Sequence, residues 1–114
     1  MKINRGHLYL ADLNPSSGTE PGKTRPVLVL QTDLMNSKHP STLICPLTSQ
    51  VRAEVEILRV HLKKGEAGLN KDSDILIDQI RAIDNRRLTQ ELGKLSSNKM
   101  KQVEEKIKIV LDLG

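Results

Sequence analysis

The stretch Glu20 to Pro26, reading E-P-G-K-T-R-P, constrains this chain most, because it sets rigid backbone and charge directly before the apolar run Val27-Leu28-Val29-Leu30. Pro21 fixes φ at about −65°, Gly22 permits the left-handed conformation of a type II turn, and Pro26 biases Arg25 toward an extended backbone. Arg25 is therefore expected where a loop becomes a strand, and a guanidinium held there is a presented phosphate ligand. A surface turn whose arginine pairs with a nearby carboxylate is the competing reading. Val27 to Gln31 reads as a central strand buried on both faces.

Upstream, Gly6 to Leu13 alternates Leu8, Leu10 and Ala11 or Leu13 with His7, Tyr9 and Asp12, the period of a half-buried strand. The connection from Asn14 to Arg25 is long for a hairpin, which makes it a candidate functional loop carrying Gly18, Thr19, Glu20 and Lys23. Downstream, Thr42 to Thr48 reads as a third strand, and Pro46 within it implies an edge position or a bulge. Its exit, Thr48-Ser49-Gln50, gathers two hydroxyls and an amide, residues that also serve ordinary turn chemistry. Cys45 reads as a small core residue rather than a reactive thiol.

Val55 to Leu62 is expected to be a fourth strand with His61 on its solvent side. Ile75 to Ile80, continued by Arg81 to Asp84, reads as a fifth, and Asn85 to Leu88 as a short helical turn. Ser97 is placed to cap a helix from Asn98 to Leu111 with Met100, Val103, Ile107, Val110 and Leu111 on one face. That stripe can pack on the chain's own sheet or on a twin helix from a second subunit.

The 114 residues suit a single domain spanning 1–114, and 37% hydrophobic against 28% charged residues is an ordinary globular balance. No apolar run approaches the ~20 residues of a membrane span, no secretory signal follows Met1, and the lone Cys45 forms no internal disulfide. A soluble, cytoplasmic protein is expected. A net charge of +4 suits a polyanionic or acidic partner. Tyr9 is the only aromatic residue, which excludes a base-stacking platform, so any bound nucleic acid is held by charge and hydrogen bonds. Three histidines and one cysteine show no zinc spacing, and neither a metal nor a cofactor is expected.

Taken in order, GHLYLADLNP, EPGKTRPVLVLQ, LICPLTS, KDSDILIDQIRAID and LGKLS before a terminal helix resemble the MazF/PemK toxin endoribonucleases, which include Kid. The resemblance covers essentially the whole chain. It implies an α+β fold: a small twisted antiparallel β-sheet, barrel-like in the SH3 manner (CcdB/Kid/MazF-like), with a C-terminal α-helix. It further implies a homodimer that cleaves single-stranded RNA (mRNA) at short sequences without a metal, neutralised by an acidic MazE-like antitoxin. By this resemblance Arg25, Thr48 and Glu20 are expected to be catalytic and Asp78 and Gln79 to contact RNA, with capping of a strand end an equal reading of that pair; Gly18, Thr19, Lys23, Ser49, Gln50 and Arg81, which stand beside these positions in the chain, are expected to bind RNA with them. The chain departs from the family at Pro21, where glutamine is common, and at Thr19 and Leu76, where Kid-like members have histidine and arginine. The Kid assignment of acid and base is therefore not carried over.

Metal-free cleavage proceeds by attack of the ribose 2′-OH on the adjacent phosphate, giving a 2′,3′-cyclic phosphate and a 5′-OH. It needs a proton acceptor, a proton donor and a cation on the developing charge. Arg25 suits the cation and Thr48 a hydrogen-bond donor. Glu20, at a reference pKa of about 4.3, is a feeble base, and arginine at about 12.5 or above is a poor one, so one of them is strongly perturbed or the enzyme is slow. His7, His39 and His61 stand at unrelated points. The alternative is a CcdB-like toxin that poisons DNA gyrase by protein contact, although the end Val110 to Gly114 lacks the tryptophan-containing tail such toxins use.

Overall fold

A computed structural model of the chain describes residues 1–15, 17–19 and 22–114. Pro26 stands inside the second strand, and the run behind it, Val27 to Val29, is fully buried. Among the described residues seven strands form: β1 (His7–Asp12), β2 (Thr24–Val29), β3 (Ser41–Thr48), β4 (Arg59–Leu62), β5 (Ser73–Leu76), β6 (Arg81–Asp84) and β7 (Leu88–Lys94). One helix follows, α1 (Ser97–Val110). The antiparallel order is β4-β5-β3-β2-β1-β7, with β6 also paired to β3. This is the expected α+β sheet with a terminal helix.

The centre is β3. On one side it pairs with β2, Cys45 opposite Leu28. On the other it pairs first with β6, Ile44 opposite Arg81, and then with β5, Leu47 opposite Ile75. The edge position expected from Pro46 is thus corrected: Pro46 lies opposite Val27 in a central strand, in the interval where the neighbour changes from β6 to β5. A missing N–H costs little at a break in the ladder.

The expected fifth strand is also corrected. It splits into β5 and β6 around a 3₁₀ turn, Ile77–Gln79, and this turn is what lets β3 take two partners on one side. The fourth strand is shorter than expected, since only Arg59 to Leu62 pair, and Ile57 and Leu58 are exposed.

Polar residues conceal β7, which pairs with β1 through two register irregularities. β1 pairs with β2 on one edge and β7 on the other, and a core on each side buries both its faces rather than one: Leu8, Tyr9 and Ala11 are all inaccessible. Alternate residues feed two cores. Leu8, Leu28 and Cys45 join the core under α1, while Tyr9, Val27, Val29 and Ile44 build the other.

The helix begins one residue early, capped by Ser96, whose hydroxyl accepts from the Lys99 N–H at 3.2 Å. Val103 is buried, Met100, Ile107 and Val110 pack beside it, and Leu111 lies outside the stripe and exposed. The stripe packs on the chain's own sheet. Behind β4, the strap Glu66–Gly68 crosses to β7 so closely that a Cβ on Gly68 would stand 2.1 Å from the Leu92 carbonyl oxygen. Only glycine fits there, and the contact draws the two ends of the sheet together.

Candidate active site

A cavity of about 610 Å³ opens between β2, the end of β3, β4 and the strap. Its lining includes Lys23, Arg25, Thr48, Ser49 and Gln50, five residues that sequence reasoning assigned to RNA. It also includes Arg59 and Lys71, so cations approach from several elements, and no carboxylate lines it among the described residues.

Arg25 sits at the loop-to-strand junction, half-buried, opposite Ala11 of β1. Its Nε donates to the Gly22 carbonyl at 2.9 Å and its Nη1 to the Leu47 carbonyl at 3.0 Å. Two anchors fix the plane of the guanidinium. Its remaining N–H groups have no partner among the described residues, and its burial pushes the pKa down from the ordinary arginine value. A desolvated, immobilised arginine is preorganised for a phosphate oxygen.

Thr48 is half-buried at the end of β3, and its Oγ1 accepts the Gln50 N–H at 3.1 Å. That bond occupies an oxygen lone pair and leaves the hydroxyl hydrogen to donate elsewhere. Lys23 holds a left-handed backbone with φ of 66°, stabilised where its N–H meets Asn14 Oδ1 at 2.7 Å and its carbonyl accepts from Leu13. The conformation aims the chain from the exposed loop into β2.

The other expected residues are not brought into this cavity. Gly18 and Thr19 are exposed in the loop between β1 and β2, outside the lining. Asp78 is exposed and Gln79 half-buried in the turn between β5 and β6. Arg81 is half-buried on β6, with a buried Nη1 that has no hydrogen-bond partner among the described residues. Glu20 lies outside the described residues. Near the turn, burial foremost, and then the Asp78 charge, push the Cys45 thiol up to about 12, so it is a core group and no nucleophile.

Sequence reasoning missed the neighbours of Asp74. This carboxylate is wholly buried on β5, where it receives Arg59 Nη1 at 3.0 Å, the Arg52 N–H at 2.9 Å and His61 Nδ1 at 2.5 Å. Burial alone would raise its pKa, but these three donors outweigh it and hold the group below the usual carboxylate range. His61 is thereby corrected from a plain solvent-side position: it faces Asp74 across the β4–β5 ladder, and its Nε2 is buried. The alternation of Arg59 and His61 in R-V-H-L was the available signal. Among the described residues no group of three or more His, Cys, Asp or Glu side chains could hold a metal.

Residues 4–111 match the family described as PemK-like, MazF-like toxin of type II toxin-antitoxin system. Endoribonuclease MazF of Staphylococcus saprophyticus is 40% identical over 111 residues, covering 97% of this chain and 92% of that protein. A crystal structure of MazF from Deinococcus radiodurans superposes with a TM-score of 0.85 at 28% identity, covering 99% of each chain. A structure of a MazE-MazF complex from the same organism matches with a TM-score of 0.78 at 28% identity over 98% of this chain and 97% of that one.

Proposed function

This chain belongs to the PemK-like, MazF-like toxins of type II toxin-antitoxin systems, and from that premise we propose that it is a sequence-specific, metal-independent endoribonuclease of single-stranded RNA. The observation that carries the reading is the pairing of Arg25 and Thr48 in one cation-lined cavity, each already turned by its local hydrogen bonds toward an incoming phosphate.

In the proposed reaction a general base takes the proton of the ribose 2′-OH as its oxygen attacks the adjacent phosphorus, and a general acid returns one to the departing 5′-oxygen. The bond to the 5′-oxygen breaks, leaving a 2′,3′-cyclic phosphate and, after protonation, a 5′-OH. Arg25 offers its remaining N–H donors to the non-bridging oxygens, where charge grows in the transition state. Thr48 donates to a phosphate oxygen or to the leaving oxygen. Glu20 supplies the loop carboxylate.

The gyrase-poisoning alternative is not favoured, because the chain matches the PemK-like, MazF-like toxins and the Staphylococcus relative is named an endoribonuclease. The whole chain, 1–114, acts as one toxin domain, as a homodimer in the cytoplasm. No helix is long and apolar enough to cross a membrane among the described residues. A MazE-like acidic antitoxin is the partner that the cavity's charge suits, in line with the Deinococcus MazE-MazF complex.

The test is incubation of the purified chain, treated with chelator, with a long single-stranded RNA and with the same RNA annealed to its complement. Discrete cuts in the single strand alone are expected. An intact single strand, with the protein folded and free of antitoxin, would overturn the proposal.

A further inference from the structure

We infer that Arg59 is a second phosphate ligand of the same cavity, holding the RNA backbone at a phosphate next to the one at Arg25, and that Asp74 is the positioning residue that keeps it there. The inference rests on the endoribonuclease reading and deepens it.

Two guanidiniums bracket one short segment. Arg25 Nη1 takes the Leu47 carbonyl at 3.0 Å, and Arg59 Nη1 takes the Gln50 carbonyl at 2.9 Å. Between these anchors stand Thr48 and Ser49, both in the cavity wall. A phosphodiester backbone lying over the two hydroxyls meets a planar cation at either end.

Arg59 is held more firmly than a surface arginine. Its side chain is 17% exposed, and the carboxylate behind it is 0% exposed. His61 Nδ1 and the Arg52 N–H also donate to Asp74, Arg59 spends only Nη1 there, and both hydrogens of that nitrogen are used, on Asp74 and Gln50. Its Nε and Nη2 have no partner among the described residues. The root of the side chain is fixed as well, since Lys106 Nζ donates to the Glu56 and Arg59 carbonyls and Lys99 Nζ to the His61 carbonyl at 3.0 Å. Strand, carboxylate and guanidinium therefore form one preorganised unit, and the donors left over face a cavity with Lys23 and Lys71 at its wall.

The experiment measures binding of a fluorescent 2′-O-methyl single-stranded RNA, which lacks the nucleophile, across a range of salt, alongside steady-state cleavage of unmodified RNA. Arg59→Lys keeps a cation against Asp74 but lacks the fork, so it is expected to melt like the wild type, bind about tenfold more weakly and raise KM with kcat unchanged. Arg59→Gln is expected to lose at least as much and to flatten the logarithmic salt slope by about 0.7, the loss of one phosphate contact on a single strand. Asp74→Asn is expected to raise KM at constant kcat, and to add nothing when combined with Arg59→Gln.

Wild-type affinity, salt slope and KM in folded Arg59→Lys and Arg59→Gln would overturn the inference and leave Arg59 a structural ion pair. In that case wild-type cutting would still stand. A wild type that neither binds nor cuts RNA would instead remove the endoribonuclease reading, and this inference with it. Should Asp74→Asn fail to fold, Arg59→Lys decides.

Discussion

Two segments beside the same strand bear the same kind of motif and come to different ends. Pro46 to Ser49 carries the end of β3 to the cavity, where Thr48 and Ser49 share the wall with Arg25. Asp78 to Arg81 runs from the turn between β5 and β6 into β6 and supplies nothing to the cavity wall, although β6 pairs with that same β3. The difference lies in what fixes each group. Arg25 and Thr48 are turned toward open space by bonds to neighbouring backbone, whereas Arg81 buries Nη1 without a partner among the described residues. On the proposed reading phosphate chemistry belongs to the first segment, and the second stands outside the cavity that carries it.

The sharpest way to break that division is Arg25→Ala. It is expected to lower kcat by ~10² to 10³ in single-turnover cleavage while circular dichroism stays unchanged, because one preorganised charge donor is lost from a loop edge. Thr48→Val is expected to cost about tenfold to a hundredfold in the same assay, the worth of one hydrogen bond to a charged group. Gln79→Ala should sharpen the comparison from the other side: kcat within about threefold of wild type, with any change appearing in KM or in the preferred cleavage sequence. A kcat loss at Gln79 equal to that at Arg25 would merge the two segments into one catalytic unit.

Smaller effects report on the frame. Asp74 has a depressed pKa in the folded chain, so its contribution to stability is fully present above the unfolded carboxylate value of about 3.9 and is lost as pH falls through the lower folded value. Urea melts are expected to show wild type losing stability below about pH 4 more steeply than Asp74→Asn. Least visible of all, native Cys45, with its thiol at about 12 and no exposure, is expected to resist iodoacetamide at pH 8 and to react only after unfolding.

Much of this architecture was legible in the sequence. Val27 to Val29 announced a central strand by its unbroken apolarity, and Pro26 placed Arg25 at its mouth, because both signals act within a few residues. The exit of β3 was legible for the same reason. What stayed hidden depended on pairing. Thr89 to Glu91 of β7 are exposed on an edge and carry no strand period, so only β1 reveals them. The split between β5 and β6 hides inside an apolar stretch that suits one strand as well as two. Asp74 is the clearest case, since nothing local announces that a carboxylate in S-D-I-L is wholly buried, and its three donors come from residues 52, 59 and 61.

The central claim is that this cavity promotes attack by the ribose's own 2′-OH, and the chemistry of the cut ends tests it most directly. Wild-type protein under chelator should leave a 2′,3′-cyclic phosphate on one fragment and a 5′-OH on the other, identified by mass spectrometry of a short cleaved RNA. Fragments ending in 3′-OH and 5′-phosphate would mean that water, not the ribose, attacked, and would contradict the roles given to Arg25 and Thr48.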